Sequence, residues 1–205
     1  MADSFRETPK PGDPIFARVT NRLIGSNALA REAAAEVARS LGFQVELPDR
    51  VLQGEAREWG TALVNETLPK VCPLRFAPGC FANLREGEAL ALINGGETTV
   101  TVKGNGVGGR NQELALAAAI ALDGAPQRMV IASFGTDGVD GPTPAAGATA
   151  TPETSARARV LGLNPQAMLA NNDSYSFFSV LGDCILTGPT GTNVNDLVIA
   201  LMYSV

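Results

Sequence analysis

Gly104-Asn105-Gly106-Val107-Gly108-Gly109-Arg110-Asn111-Gln112-Glu113 runs directly into the apolar stretch Leu114 to Leu122. That stretch reads as a helix ended by Gly124 and Pro126. Upstream, Thr98 to Val102 alternates β-branched residues as a strand does, and downstream Met129 to Phe134 reads as a buried strand. Strand, glycine-rich loop, helix and strand in succession describe an α/β protein.

The segments on either side extend this pattern. Ala89 to Ile93 is a nearly continuous apolar strand, and Gly95-Gly96 predicts a turn that makes Thr98 to Val102 its antiparallel hairpin partner. Nearer the start, Leu23-Ile24 reads as a strand leading through Gly25-Ser26-Asn27 into a helix. Leu29, Ala33, Val37 and Leu41 recur there at helical spacing up to Gly42. Phe43 to Leu47 alternates as a strand, and Gln53 to Val71 reads as a helix burying Trp59, Leu63 and Val64. This alternation predicts a parallel sheet covered by helices, and the Pro- and Gly-containing stretch Cys72 to Arg85 marks a boundary between two parts. Beyond the central segments, a loop Gly135 to Gly147, a helix Ser174 to Leu181, a short strand near Ile185 and a last strand Leu197 to Met202 are expected. Pro9, Pro11, Gly12 and Pro14 give the first residues the character of an extended lead-in cut from something longer.

Composition narrows the chemistry. A formal charge of −5 over 205 residues leaves no basic stripe of the kind that neutralises a nucleic-acid backbone. The apolar runs fall far short of the roughly 20 residues that span a bilayer, and no signal peptide opens the chain, so a soluble cytoplasmic protein is expected. Cys72, Cys80 and Cys184 form neither a disulfide set nor a metal-ligand pair. Histidine is absent, which excludes imidazole-based triads and imidazole zinc sites and leaves carboxylates, Arg, Lys, hydroxyls and backbone amides to do the chemistry.

Three constellations could carry that chemistry. Gly104, Gly106, Gly108 and Gly109 let backbone amides approach an oxyanion where a helix begins, and Arg110 adds a planar fork for the same anion. The alternative is a plain strand-to-helix turn capped by Asn111. Asp137 and Asp140, in Gly135-Thr136-Asp137-Gly138-Val139-Asp140-Gly141, follow a buried strand and could hold Mg²⁺, or could simply close Asp-Gly turns. Thr190, Gly191, Thr192 and Asn193 offer hydroxyls and amides before the last strand, for phosphate or for a tight turn. Asn171-Asn172-Asp173-Ser174 reads as a helix N-cap, and Glu97 as an exposed strand charge or a ligand to a cation or hydroxyl.

Taken together, Gly95-Gly96-Glu97-Thr98-Thr99-Val100, Gly108 to Leu114, Gly135 to Gly141 with Ala145 to Gly147, and Asn172-Asp173-Ser174 with Thr190 to Asn193 resemble the glycerate 2-kinase family and its C-terminal MOFRL domain. Ile24 to Ala28 and Gly54-Glu55-Ala56-Arg57 look like the end of the family's first domain. The resemblance implies an α/β chain in which residues 1–72 close a Rossmann-like parallel-sheet domain and 86–205 form a mixed-sheet MOFRL-type domain. It also implies transfer of the γ-phosphoryl of ATP, with Mg²⁺, to the 2-hydroxyl of D-glycerate in a cleft between domains. On that reading Arg110 and Asp137 are catalytic and Asp137 and Asp140 hold the metal. Gly104, Gly106, Gly108, Gly109, Asn111, Glu113 and Thr190 to Asn193 bind the cofactor. The family's first domain begins before this sequence and carries an active-site lysine that no residue here matches. Nucleotide and glycerate are the implied partners, and a homo-oligomer is left open. Relatives named hydroxypyruvate reductase supply a second reading, against which stands the lack of an acidic ribose-binding residue at the end of the next strand, Met129 to Phe134. An inactive binding or interaction fragment is the third.

Overall fold

The computed structural model describes residues 8–67, 89–125 and 128–203. The boundary expected between Cys72 and Arg85 lies outside them. After a 3₁₀ turn, Pro14–Arg18, helix α1 (Asn27–Ser40) leads to strand β1 (Phe43–Glu46) and helix α2 (Ala56–Ala62), which a π turn extends over Leu63–Thr67. Strand β2 (Ala89–Gly96), helix α3 (Arg110–Ala121) and strands β3 (Arg128–Gly135) and β4 (Gly147–Ala150) follow. Helices α4 (Thr154–Val160), α5 (Pro165–Ala170) and α6 (Ser174–Leu181) then precede β5 (Cys184–Ile185) and β6 (Asp196–Tyr203).

The strands form one six-stranded mixed sheet in the order β1-β2-β6-β3-β4-β5. Only β1 and β2 pair in parallel, and the other ladders are antiparallel. β2 and β6 are apolar on both faces and alternate accordingly. Leu90, Leu92, Val198, Ala200 and Met202 pack with Trp59, Leu63, Val64 and Leu114 on one side, while Ala91, Ile93, Ile199 and Leu201 meet α1 on the other. α3 lies at the centre, buried from Asn111 to Ala119, because its Ala-rich surface is apolar all round and other elements cover it. α2 crosses it closely at Gly60, where a Cβ would lie 2.2 Å from the Leu114 carbonyl oxygen. Among the described residues no helix is long and apolar enough to cross a membrane.

Three local expectations fail. Leu23 and Ile24 form no strand and are 79% and 94% exposed, because among the described residues no strand lies beside them to complete a ladder; Ser26 instead caps α1 by accepting from the Leu29 amide. Thr98 to Val102 is no hairpin partner of β2, since β1 and β6 already occupy both edges of that strand. The segment runs beside residues 52–56 instead, with Thr99 N–H donating to Gly54 O and Ala56 N–H to Thr99 O. The helix expected from Gln53 begins at Ala56, with Trp59, Leu63 and Val64 buried as expected, and its reach beyond residue 67 lies outside the described residues.

Candidate functional site

α3 begins at Arg110 rather than Leu114, so Arg110 to Glu113 form its first turn. A helix start leaves amide donors without intrahelical acceptors, and Gly109 at the cap position has no side chain to meet them. Asp140 does so from 28 residues downstream. Its Oδ1 accepts from the Asn111 amide at 3.0 Å and its Oδ2 from the Gln112 amide at 2.9 Å, with Gln112 Nε2 also at 2.9 Å. A carboxylate of the protein itself therefore sits where the helix dipole favours an anion. Burial pushes the Asp140 carboxyl above the usual aspartate range, and the hydrogen bonds from Asn111 and Gln112 oppose that push.

Arg110 points back to the sheet. Its Nε donates to Asp196 Oδ2 at 2.6 Å and its Nη2 to Oδ1 at 3.0 Å, while Nη1 lies 3.3 Å from Glu97. Asp196 is buried at the start of β6, and its fork-to-fork contact raises the Arg110 pKa further above its ordinary value. Glu97, with its side chain half exposed, is thus part of the same cluster. Of the five guanidinium N–H donors, two remain for other partners.

The glycine-rich loop packs on the segment that precedes α6. A Cβ on Gly104 would meet Asn171 O at 2.3 Å, one on Gly106 the Asp173 Cβ at 2.4 Å, and one on Gly108 the Ser174 Oγ at 2.1 Å. Asn172 Oδ1 accepts from the amides of Lys103 and Gly104, Asn171 from those of Asn105 and Gly106, and Asp173 Oδ1 from Val107. Asp173 stands at the cap position of α6, yet its carboxylate serves Val107 and the Ser176 hydroxyl and makes no cap bond to the helix backbone. The expected N-cap is in place by position and engaged elsewhere by chemistry. Among the described residues the amides of Gly108 and Gly109 donate to no protein acceptor. These two glycines, with Gly106, Arg110, Thr98 and Glu97, line a cleft of about 600 Å³, and Glu113 and Asn172 form part of its wall.

Asp137 and Thr190 to Asn193 come together in a second cluster. Asp137 Oδ1 accepts from Val139 N–H and Oδ2 from Asn193 Nδ2, each at 3.1 Å, and the Thr190 amide donates to Asp137 O. Thr190 Oγ1 donates to Thr136 O at 2.6 Å, which fastens the two loops. This cluster does not line the cleft. It meets the Arg110 cluster across Gly135, whose absent Cβ would lie 3.0 Å from Asp137 Oδ1 and 3.5 Å from Asp196 Oδ1. Asp196 is not among the residues the sequence singles out, although a lone carboxylate opening the apolar run Leu197 to Met202 is a visible signal. Asn172, expected within an N-cap segment, also holds the glycine-rich loop.

A mixed sheet carrying a buried central helix, with a cleft at the glycine-rich start of that helix, defines the class of protein. The chain belongs to the MOFRL family, whose pattern it matches over residues 90–196. It is 43% identical over 201 residues to D-glycerate 2-kinase of Thermotoga maritima, a match covering 97% of this chain and 44% of that protein. A protein of Agrobacterium vitis named for hydroxypyruvate reductase is 39% identical over 93% of this chain and 41% of its own length. The crystal structure of glycerate kinase from Thermotoga maritima superposes with a TM-score of 0.76 at 44% identity, covering 88% of this chain and 41% of that one. The chain thus spans less than half the length of these relatives.

Proposed function

We propose that this chain provides part of the active site of a glycerate 2-kinase-type enzyme, in which the γ-phosphoryl of ATP moves to the 2-hydroxyl of D-glycerate. The observation that carries the reading is the cleft at the α3 start, where the Gly108 and Gly109 amides and Arg110 converge. Phosphoryl transfer asks a protein mainly for positioning and charge stabilisation, which amides and a guanidinium supply without histidine. Asp196 orients Arg110 so that its two remaining N–H donors meet a phosphate or carboxylate oxygen of the ligand. Gly108 and Gly109 present amides to the same anion, while the other loop amides hold the loop to residues 171–173. The Asn111 and Glu113 side chains act within the protein, on Ser133 and Asp140 and on Arg57 and Asn172 respectively, and so serve the ligand indirectly.

Mg²⁺ would neutralise charge on the transferring phosphoryl group. Magnesium keeps several waters and needs only one or two carboxylates, a requirement that Asp137 fits: it is partly exposed and holds each oxygen by a single neutral donor. Asp140 does not fit, because its carboxylate is 2% exposed and already caps α3. We therefore assign the metal to Asp137, with Thr190 to Asn193 shaping its surroundings. The test is ATP-dependent phosphorylation of D-glycerate, run beside NADH oxidation with hydroxypyruvate. Loss of about 100-fold or more in kcat/KM on Arg110→Ala is expected, since removing a transition-state donor costs on that order. NADH consumption without phosphoryl transfer would overturn the proposal.

A further inference from the structure

Glu113 lines the cleft, yet both of its oxygens face partners within the protein. Oε1 accepts from Arg57 Nε at 2.8 Å and Oε2 from Asn172 Nδ2 at 2.8 Å. Asn172 then passes the contact on, its Oδ1 accepting from Lys103 N–H at 2.8 Å and Gly104 N–H at 3.0 Å. One chain of hydrogen bonds thus runs from α2 through α3 to the beginning of the glycine-rich loop. We propose that Arg57, Glu113 and Asn172 are positioning residues that hold this loop in the shape in which Gly108 and Gly109 face the ligand, an inference that rests on the phosphoryl-transfer reading.

Two features argue that the network does more than stabilise the fold. Arg57 leaves its buried Nη2 without a partner among the described residues, and its ion pair with Glu113 joins a side chain 26% exposed to one 2% exposed, so the pair is part-buried and imperfectly satisfied. An incompletely satisfied pair of this kind is a weak stabiliser compared with apolar packing. Asn172 occupies the left-handed region at φ 55°, where asparagine is among the few residues besides glycine at home. Its amide side chain offers, from that one position, a donor to the Glu113 carboxylate and an acceptor to two loop amides. Aspartate would set a second carboxylate against the first and lose the donor.

The experiment uses the whole chain and two readouts: hydrogen exchange at the Lys103 and Gly104 amides, and calorimetric binding of ATP with Mg²⁺. Asn172→Gly keeps the backbone conformation and removes the side chain, Glu113→Gln removes the charge, and Arg159→Ala, in an exposed pair with Asp123, serves as the control. We expect Asn172→Gly and Glu113→Gln each to raise exchange at the two amides by about tenfold or more, with a comparable loss of affinity. Asn172→Asp should do more, and the control should change neither. Unchanged exchange in both variants overturns the proposal, and so does faster exchange with affinity within twofold of wild type. If the unaltered chain binds no ATP, this part of the site does not hold nucleotide by itself, and exchange alone then decides whether the network holds the loop.

Discussion

Asp137 and Asp140 stand three residues apart in one loop and have opposite fates. Asp140 is 2% exposed, and amides and a side chain of α3 close around it; Asp137 stays partly open, and among the described residues its carboxylate is held by Val139 and Asn193 alone. The difference arises from what lies opposite each residue. β3 delivers the loop beside the start of α3, and the turn at Gly141, with φ 62°, brings Asp140 under the helix while Asp137 faces the Thr190 to Asn193 loop. A carboxylate that already satisfies a helix start has little capacity left for a metal, whereas one on a loop edge retains it.

The strongest way to break this contrast is Asp140→Ala. It leaves the Asn111 and Gln112 amides and Gln112 Nε2 buried without their acceptor, which should cost about 3 kcal/mol or more. A fall in Tm of roughly 6 to 12 °C, read by calorimetry, follows for a chain of this size. Asp137→Ala should leave Tm within about 2 °C while lowering phosphoryl transfer by about 100-fold. Equal Tm losses for the two variants would erase the distinction.

Arg110→Lys sharpens the comparison on the other side of Gly135. A point charge cannot reproduce the fork on Asp196, so kcat/KM should fall by about tenfold or more even though the charge is kept. Glu55 gives the smallest effect. Its carboxylate accepts from the Thr101 hydroxyl and amide, which hold its pKa below the ordinary 4.5. The folded value lies below the unfolded one, so this contact contributes fully above the unfolded pKa and is lost as pH falls through the folded pKa. An NMR titration should place the Glu55 midpoint below 4.5, with the Thr101 amide signal moving in step.

Much of the frame was legible from local pattern. Ala89 to Ile93, Met129 to Phe134 and Leu197 to Met202 are apolar runs of strand length, and Ser174 to Leu181 carries a helical stripe ended by a left-handed Gly182. β4 was not legible, because Gly147-Ala148-Thr149-Ala150 has little β character of its own and becomes a strand through ladders with β3 and β5. The same limit applies to the site. The glycine-rich run was visible as a place of close approach, and its position at a cleft follows from the fold. What the glycines approach could not be read: Asn171 to Ser174 and Asp140 lie dozens of residues away, and only tertiary packing brings them together. Leu23 and Ile24 fail for the complementary reason, being apolar residues with no neighbouring strand among the described residues.

The position of β6 has a consequence for the order of assembly. Residues 196–203 form the last strand along the chain and lie between β2 and β3, which do not touch each other in the sheet. During synthesis β2 and β3 leave the ribosome with one edge each unpaired, and neither ladder can close before residue 203 has emerged. The Asp196 carboxylate that pairs with Arg110 arrives with the same strand, so the Arg110 side chain takes up its place beside the cleft at the moment the sheet closes.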